Sequence, residues 1–277
     1  MFSVVVCVYV ADDAKLLKQS LKSIFEQTLK PSEVVLVQDG PLTKEILEQI
    51  SEFENLLKYD DIAFKNISLS RNLGHGKARM VGIKSAEYNI IAICDSDDIN
   101  YPNRFEEQYK FLENSQDISV VGSQIMEISI NKPQSMRVVP INHEEILRYC
   151  RFRCPMNQMT VMFRKDDIME VGGYKDFYHN EDYYLWIRLI ASGYRLANLP
   201  NVLVDANVDQ YTFKRRGGYS YFKSEFNIQK LLLKKKITNH IIFFLNISIR
   251  IVVQVLMPSH LRKLAFKYLF RKKLENK

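Results

Sequence analysis

Apolar runs rich in β-branched residues alternate with amphipathic stretches through the first hundred residues of the chain. Between the runs, apolar side chains recur at helical spacing, and Asp12 or Asp13 is placed to cap the first helix. Strands that alternate with helices predict an α/β fold with a mostly parallel central sheet and helices on both faces. The predicted strands are residues 3–10, 33–37, 62–69 and 89–94.

The second half of the chain has a less regular pattern. Glu181 and Asp182 fall in the first turn of one predicted helix, and Gly193 follows its end. Both features agree with the preferences of helix termini. The pattern predicts helices over residues 102–114, 143–150 and 180–192 and strands over 119–129 and 158–163.

The C-terminal segment combines apolar and basic residues. Residues 241–257 are strongly apolar, but the run contains Arg250 and is short for a membrane span. Residues 261–270 then place apolar side chains at helical spacing among lysine and arginine. This pattern favours amphipathic helices that lie in a membrane interface. The alternative is a buried C-terminal helix followed by a solvated basic tail.

Composition and charge narrow the class of protein. The 277 residues, 47% of them apolar, are enough for one large globular domain or two small ones. Four cysteines are too few for a disulfide-stapled secreted protein, and the chain begins without a leader-like segment, so we expect a cytoplasmic protein. Residues 234–277 carry a net charge of +10 and the remainder −3. A basic region confined to one apolar-rich end indicates an anionic surface as partner and not a nucleic acid.

An acidic cluster, Asp95-Ser96-Asp97-Asp98, directly follows the fourth predicted strand. Three carboxylates so close together repel each other unless a cation neutralises them. Carboxylate oxygens suit Mg²⁺ or Mn²⁺, which also bind substrate phosphates. The alternative is a solvated turn that caps a helix. The position of the acidic cluster at the end of a buried strand favours a functional site.

Two further segments also follow predicted strands. Asp39-Gly40 comes after the second strand, where a carboxylate can accept hydrogen bonds from a base or a ribose and glycine permits close backbone approach; the alternative is an ordinary turn. Residues 71–79 place cations and two glycines at a helix start, which suits an anion, although they match no standard phosphate-binding fingerprint. Arg79 in this segment is equally compatible with a surface position.

Two more segments carry candidate chemistry in the second half. Glu181 and Asp182 are candidates for a general base, because a carboxylate within hydrogen-bond reach can take a proton from a hydroxyl. Acids are also favoured at a helix start by the helix dipole alone. Arg215 and Arg216 lie in a cationic loop that could bind a diphosphate or could be solvated.

In their order and spacing, these segments resemble family 2 glycosyltransferases with the GT-A fold, close to bacterial capsule, exopolysaccharide and O-antigen enzymes of the amylovoran type. The resemblance covers residues 3–220. Cys7 stands where many relatives have proline, and Gln38 replaces the first of two acids, which weakens the case for two nucleotide-binding carboxylates there. The motifs are residues 3–9 and 38–42, Arg71-Asn72-x-Gly74, residues 95–98 with Pro102 and Arg104, Gly172-Gly173-Tyr174 and residues 181–185.

The resemblance implies roles for the residues of the first half. Asp39 would bind uracil or ribose, and Arg71 would contact the uracil. Asp95 would hold the ribose, and Asp98 would support its loop. Asp97 would be the protein ligand of Mn²⁺ or Mg²⁺, with Asp95 as the second metal candidate. The expected donor is a UDP-sugar, with galactose preferred.

The resemblance also implies the reaction. Asp182 would be the catalytic base and Glu181 would orient the acceptor, a lipid-linked saccharide at the inner face of the cell membrane. Residues 1–220 would form the catalytic domain, divided into a nucleotide-sugar half over 1–114 and an acceptor half over 115–220, and residues 221–277 a membrane-associating helical region. The alternatives are a nucleotidyltransferase that makes nucleotide sugars, whose glycine-rich N-terminal signature is missing here, and a non-catalytic lipid- or glycan-binding module.

Overall fold

The computed structural model of the chain describes residues 1–129, 132–208 and 218–258. Its strands are β1 Ser3–Val8, β2 Glu33–Gln38, β3 Ala63–Ser68, β4 Ile90–Asp95, β5 Ile99–Asn100, β6 Ile118–Ser129, β7 Lys132–Arg137, β8 Met162–Arg164 and β9 Arg195–Asn207. Its helices are α1 Ala14–Phe25, α2 Lys44–Tyr59, α3 His75–Ser85, α4 Arg104–Asn114, α5 His143–Cys150, α6 Lys165–Glu170, α7 Glu181–Ala191, α8 Tyr219–Lys234 and α9 His240–Arg250. A 3₁₀ turn spans Gln158–Thr160, and a π-helical segment, Ile251–Leu256, continues α9.

Within these residues nine strands form one sheet in the order β3-β2-β1-β4-β8-β6-β9-β5, with β7 paired to β6. The β3-β2-β1-β4 half is parallel, and β6 also pairs with β9 in parallel. The short strand β8 joins the two halves through antiparallel pairs. Cys7 of β1 lies opposite both Val37 and Asp95 in the register, so β2 and β4 end at the same edge of the sheet. The predicted α/β fold with a mostly parallel sheet is confirmed.

Helices cover both faces of the sheet, because successive side chains of a buried strand point to opposite sides. The helices α1, α2 and α4 pack on one face, and α3, α5, α7 and α8 pack on the other. The first face buries Val4, Val6, Val34, Leu36 and Ala92, and the second buries Val5, Val35, Val37, Ile91 and Ile93. Full burial of each such aliphatic side chain contributes about 1.5–3 kcal/mol.

The predicted strand over residues 158–163 is wrong in its first half. Residues Gln158–Thr160 form the 3₁₀ turn, and only the short β8 follows. The Thr160 hydroxyl is buried, accepts a hydrogen bond from the Ser123 N–H and donates one to the Asn157 carbonyl. Such side-chain to backbone hydrogen bonds compete with a strand ladder, which explains the difference. Of the two candidate caps of α1, Asp13 is the one that accepts from the first turn.

The C-terminal helices pack against the body through polar side chains. Asn246 and Gln254 are buried, and Asn246 donates hydrogen bonds to Gln229 of α8 and to the Arg151 carbonyl. Phe243 also packs inward, but eight other apolar side chains of the same segment are exposed. They are Ile241, Phe244, Leu245, Ile249, Ile251, Val252, Val255 and Leu256, which we call the exposed apolar face of α9. α9 is therefore buried along one side and exposed along the other, and its association with a membrane interface stays a prediction.

None of the helices that the structure describes combines the length and the hydrophobicity needed to cross a membrane. The amphipathic segment predicted over residues 261–270 lies outside the described residues.

Candidate active site

The turn after β2 is joined to the loop before α3 through Asp39. Its carboxylate is buried and accepts hydrogen bonds from the backbone N–H groups of Leu73 (2.6 Å) and Gly74 (3.1 Å). Gly40 has φ +95°, and a Cβ there would lie 2.7 Å from the Asn72 nitrogen, so the close approach of the two segments requires glycine. Arg71 is exposed beside this contact. Asp39 thus orders the loop that carries Arg71.

An ion pair buried behind the end of β4 holds Asp95. Arg79 of α3 is 5% exposed and donates to Asp95 Oδ1 at 2.8 Å and to His75 Nε2 at 2.8 Å. The Arg79 charge lowers the pKa of His75 to about 4, so at neutral pH this ring is uncharged and its nitrogen can accept the bond. Burial acts to raise the pKa of Asp95, but the Arg79 guanidinium outweighs it through its charge and its hydrogen bond and lowers the pKa, so Asp95 stays ionised.

The Arg79 contact was missed by sequence reasoning, which left a surface position open. The pattern of α3 hides it, because Gly76, Arg79 and Gly82 are all buried and the helix has no simple apolar stripe. The spacing of Arg79 four residues after His75, in a helix that begins at a glycine turn, was the available signal. A buried arginine with its partner removed would leave an uncompensated charge, so the pair belongs to the framework of the site.

The acidic loop after β4 is held from both sides. Ser96 donates to Asp12 at 2.8 Å, and the Asp95 carbonyl accepts from Ser20 of α1. Asp98 is buried and accepts from the Asn207 N–H at the end of β9 (2.8 Å). Burial, followed by the charges of Asp97 and Asp95, raises the pKa of Asp98 well above its ordinary value. Asp98 thus ties the loop to β9, as the resemblance implied for a supporting residue.

The chemistry of this loop fits a metal shared with a ligand. In the described part of the chain, no three His, Cys, Asp or Glu side chains are grouped so that they could hold a metal by themselves. Asp97 is half-buried between Asp95, which bonds to Arg79, and Asp98, which bonds to β9. One or two carboxylates completed by phosphate oxygens and water form the usual environment of Mg²⁺ in nucleotide sites. The donor set therefore fits Mn²⁺ or Mg²⁺ held mainly by Asp97 together with a diphosphate.

The first turn of α7 carries the second predicted carboxylate pair. Asp182 Oδ1 accepts from the Tyr183 N–H at 2.7 Å, and the Cys154 thiol donates to Oδ2 at 3.6 Å. Burial raises the pKa of Asp182 above its ordinary value, against the charges of Arg137 and Arg79. A carboxylate with a raised pKa is a stronger base than an exposed aspartate.

The structure brings both acidic regions within reach of the Arg79 charge. Glu181 is half-buried, and its Cγ would lie 3.4 Å from a Cβ on Gly76, so the start of α7 packs on the start of α3. The Arg79 charge acts on Asp95, Glu181 and Asp182 alike. The Arg79 guanidinium also lies 5.4 Å from the centre of the Tyr174 ring. Asp95 and the Glu181–Asp182 pair, which are distant in sequence, are thus neighbours of one buried cation, Arg79.

A cavity of about 370 Å³ opens beside Asp182. Asp182, Arg137 and Cys154 line its inner wall, and residues of α8, α9 and the π-helical segment line the outer wall. Arg137 and Cys154 were not singled out as site residues from the sequence, because nothing in a local pattern links them to a helix that starts well beyond both of them at Glu181. Arg215 and Arg216 lie outside the described residues.

A sheet with a parallel half, covered on both faces and carrying carboxylates where its strands end, defines the class of GT-A transferases. The crystal structure of S. aureus TarS 1-349 in complex with UDP-GlcNAc has this fold and superposes with a TM-score of 0.67, at 19% identity, over 96% of this chain and 74% of that chain. Residues 3–172 match the family model "Glycosyl transferase family 2". The chain belongs to this family.

Two curated relatives extend the similarity over nearly the whole chain. The amylovoran biosynthesis glycosyltransferase AmsE of Erwinia amylovora is 34% identical over 258 residues, which cover 93% of this chain and 95% of AmsE. An Escherichia coli UDP-Gal:alpha-D-GlcNAc-diphosphoundecaprenol beta-1,3-galactosyltransferase is 34% identical over 273 residues, which cover 98% of this chain and 97% of that enzyme. The predicted resemblance to family 2 enzymes of surface-polysaccharide synthesis is confirmed.

Proposed function

We propose that this glycosyltransferase moves a sugar, galactose by preference, from a UDP-sugar to a hydroxyl of a polyprenyl-diphosphate saccharide during synthesis of a bacterial surface polysaccharide. The observation that carries the proposal is the position of Asp182, between the Arg79–Asp95 pair and a cavity large enough for a sugar. The name of the Escherichia coli relative supports the UDP-sugar donor, the lipid-linked acceptor and the choice of galactose. The name of AmsE supports a glycosyltransferase of amylovoran biosynthesis.

The donor would bind at the edge of the parallel strands. Asp39 and Arg71 would contact the uracil side, Asp95 the ribose, and Asp98 would keep the acidic loop in place through its bond to β9. Mn²⁺ or Mg²⁺, held by Asp97 with Asp95 as second candidate, would neutralise the charge that develops on the departing diphosphate. Arg215 and Arg216 remain a weaker proposal for binding diphosphate.

Asp182 would remove the proton of the acceptor hydroxyl, which Glu181 helps to orient. Its raised pKa favours this role, and the Cys154 thiol and the Tyr183 N–H hold the carboxylate in place. The activated oxygen would attack the anomeric carbon from the face opposite the UDP. A single displacement of this kind inverts the configuration, and positioning of the two substrates supplies much of the rate enhancement.

The proposal is tested by incubating the protein with UDP-galactose, Mn²⁺ and GlcNAc-diphosphate on a short alkyl chain. We expect release of UDP and a disaccharide product of inverted anomeric configuration, detected by mass spectrometry and NMR. A screen of other UDP-sugars decides the donor. Formation of UDP-sugar from UTP and a sugar 1-phosphate would instead indicate a nucleotidyltransferase, and absence of UDP release with every donor would indicate a binding module.

We further propose that residues 1–220 carry the catalytic side chains and that residues 221–277, which also form part of the cavity wall, attach the protein to the inner face of the cell membrane. The exposed apolar face of α9 supports this, because the segment buries Phe243, Asn246 and Gln254 and leaves its other large apolar side chains exposed to solvent. A contiguous apolar surface of this kind marks a site of association. The net charge of +10 over residues 234–277 would add attraction to anionic lipids.

Replacing Ile241 and Leu245 by serine together is expected to weaken binding to vesicles of phosphatidylethanolamine and phosphatidylglycerol by at least about tenfold. Both side chains are more than half exposed, so the change removes apolar area for the lipid and not for the core. Sedimentation with vesicles measures the effect. Leu56→Ser, at an exposed leucine of α2, is the matched control. Equal binding by the double variant and the wild-type chain would refute the attachment through α9.

A further inference from the structure

The cavity beside Asp182 has three different chemistries on its walls. Asp182 and Tyr183 stand at the start of α7, Arg137 contributes a cation from the end of β7, and Ile249 and Val253 contribute apolar side chains from the C-terminal helices. Its volume of about 370 Å³ falls in the range of small-molecule sites. A ligand that fills it must therefore be polar at one end and apolar at another.

Arg137 differs from Arg250, one of the two other arginines that line the cavity. Arg250 is bound to Glu225 at 2.8 Å and donates to the Phe152 and Asn246 carbonyls, so it holds the outer wall to the body. Arg137 is half-buried and donates from Nη2 to the Cys154 carbonyl, but it makes no ion pair with any carboxylate that the structure describes. A guanidinium has five N–H donors in a planar fork, which suits a phosphate group.

The apolar wall continues onto the surface of the molecule. Ile249 lines the cavity and also belongs to the exposed apolar face of α9, and Val253 follows it on the π-helical segment. A hydrocarbon chain that leaves the cavity past these residues would stay in contact with apolar side chains. The walls thus match the parts of a lipid-diphosphate saccharide. The Asp182 carboxylate suits a sugar hydroxyl, the Arg137 guanidinium suits the diphosphate, and the apolar face suits the hydrocarbon chain.

We propose that this cavity is the acceptor site for a lipid-diphosphate saccharide and that Arg137 binds its diphosphate. The proposal rests on the proposed function and adds the residue that selects a charged acceptor over a neutral one. It also accounts for a cation so near the base: Arg137 compensates the repulsion between the diphosphate and the Asp182 carboxylate.

The experiment compares two acceptors that differ only in the diphosphate: GlcNAc-diphosphate on an alkyl chain and the alkyl glycoside of GlcNAc. For Arg137→Ala, we expect KM for the diphosphate acceptor to rise about tenfold to hundredfold, the factor for hydrogen bonds lost to a charged group. KM for the neutral acceptor and the Kd of UDP should stay unchanged, and the latter also shows that the variant is folded. Arg137→Lys keeps the charge but not the planar fork, so its KM for the diphosphate acceptor should lie between those of the wild-type chain and Arg137→Ala.

Arg148→Ala removes the same charge from an exposed position of α5 and is the matched control. An equal KM increase for both acceptors, or a changed rate with unchanged KM, would mean that Arg137 only positions Asp182, and the proposal would be wrong. Should the wild-type chain bind UDP but transfer no sugar, the proposed function fails, and calorimetry with the diphosphate compound alone still decides the cavity. If the wild-type chain binds the diphosphate compound and Arg137→Ala binds it more weakly, the acceptor-site proposal is supported. If the wild-type chain does not bind the compound, the proposal is wrong.

Discussion

Asp182→Asn is expected to lower kcat by about 10²–10⁴-fold, the usual contribution of a general base. The amide keeps the shape of the side chain and can still accept from the Tyr183 N–H, but it cannot take the proton of a hydroxyl. The affinity for UDP-sugar should not change, because Asp182 is not among the residues proposed to contact the donor. Single-turnover transfer and calorimetric donor binding separate the two quantities.

Asp176→Asn is the matched control, since Asp176 is an exposed carboxylate that pairs with Lys77 at the surface. The pH profile gives a second measurement. The base works only when deprotonated, so wild-type kcat/KM falls as the pH drops through the pKa of Asp182. Because burial raises this pKa, the fall begins at a higher pH than an exposed aspartate would give. Near-normal turnover by Asp182→Asn, or the same fall of kcat/KM at low pH in this variant as in the wild-type chain, would exclude Asp182 as the base.

Asp97→Ala is expected to abolish the part of UDP-sugar affinity that depends on Mn²⁺ and, with it, transfer. In the acidic loop, Asp95 is bound to Arg79 and Asp98 to the Asn207 N–H, so neither replaces a lost ligand without breaking a contact of its own. We expect at least about a tenfold loss in affinity when Mn²⁺ is present. Calorimetry with UDP, with and without Mn²⁺, measures it.

The control for this variant is Asp117→Ala. Asp117 is an exposed carboxylate, and its partner Arg195 keeps a second contact to Glu144. Thermal unfolding checks that Asp97→Ala is folded. Unchanged Mn²⁺-dependent affinity in a folded Asp97→Ala would remove Asp97 as a metal ligand and leave Asp95 as the candidate.

The local pattern predicted the parallel half of the fold well. Runs of valine and isoleucine predicted β1, β2 and β4 to within two residues at each end, because a strand buried on both faces needs apolar side chains at nearly every position. Polar turns after β2 and β4 predicted where Asp39 and Asp95 would lie. The start of α7 at Glu181 followed from its acidic first turn and the glycine beyond its end.

The parts that failed depend on contacts between distant segments. The strand predicted at residue 158 became a 3₁₀ turn because Thr160 bonds to Ser123 and Asn157. For the apolar run at residue 241, the sequence left open which side meets the body, and the structure turns Phe243 and the amides inward, where Gln229 of α8 offers Asn246 a buried hydrogen-bond partner. Composition does not reveal which side of such a helix meets the body.

By itself, the sequence determined the class of fold, the family motifs and the carboxylates offered for chemistry, because these follow from local periodicity and from the order of short segments. Only the tertiary structure decided that Arg79 is buried against Asp95, that Cys154 bonds to Asp182, and that Arg137 shares a cavity with α9. The physical reason is that a buried charge needs a partner, and that partner can come from any element that the topology brings close, however distant it is in the sequence. Sequence order does not encode that distance.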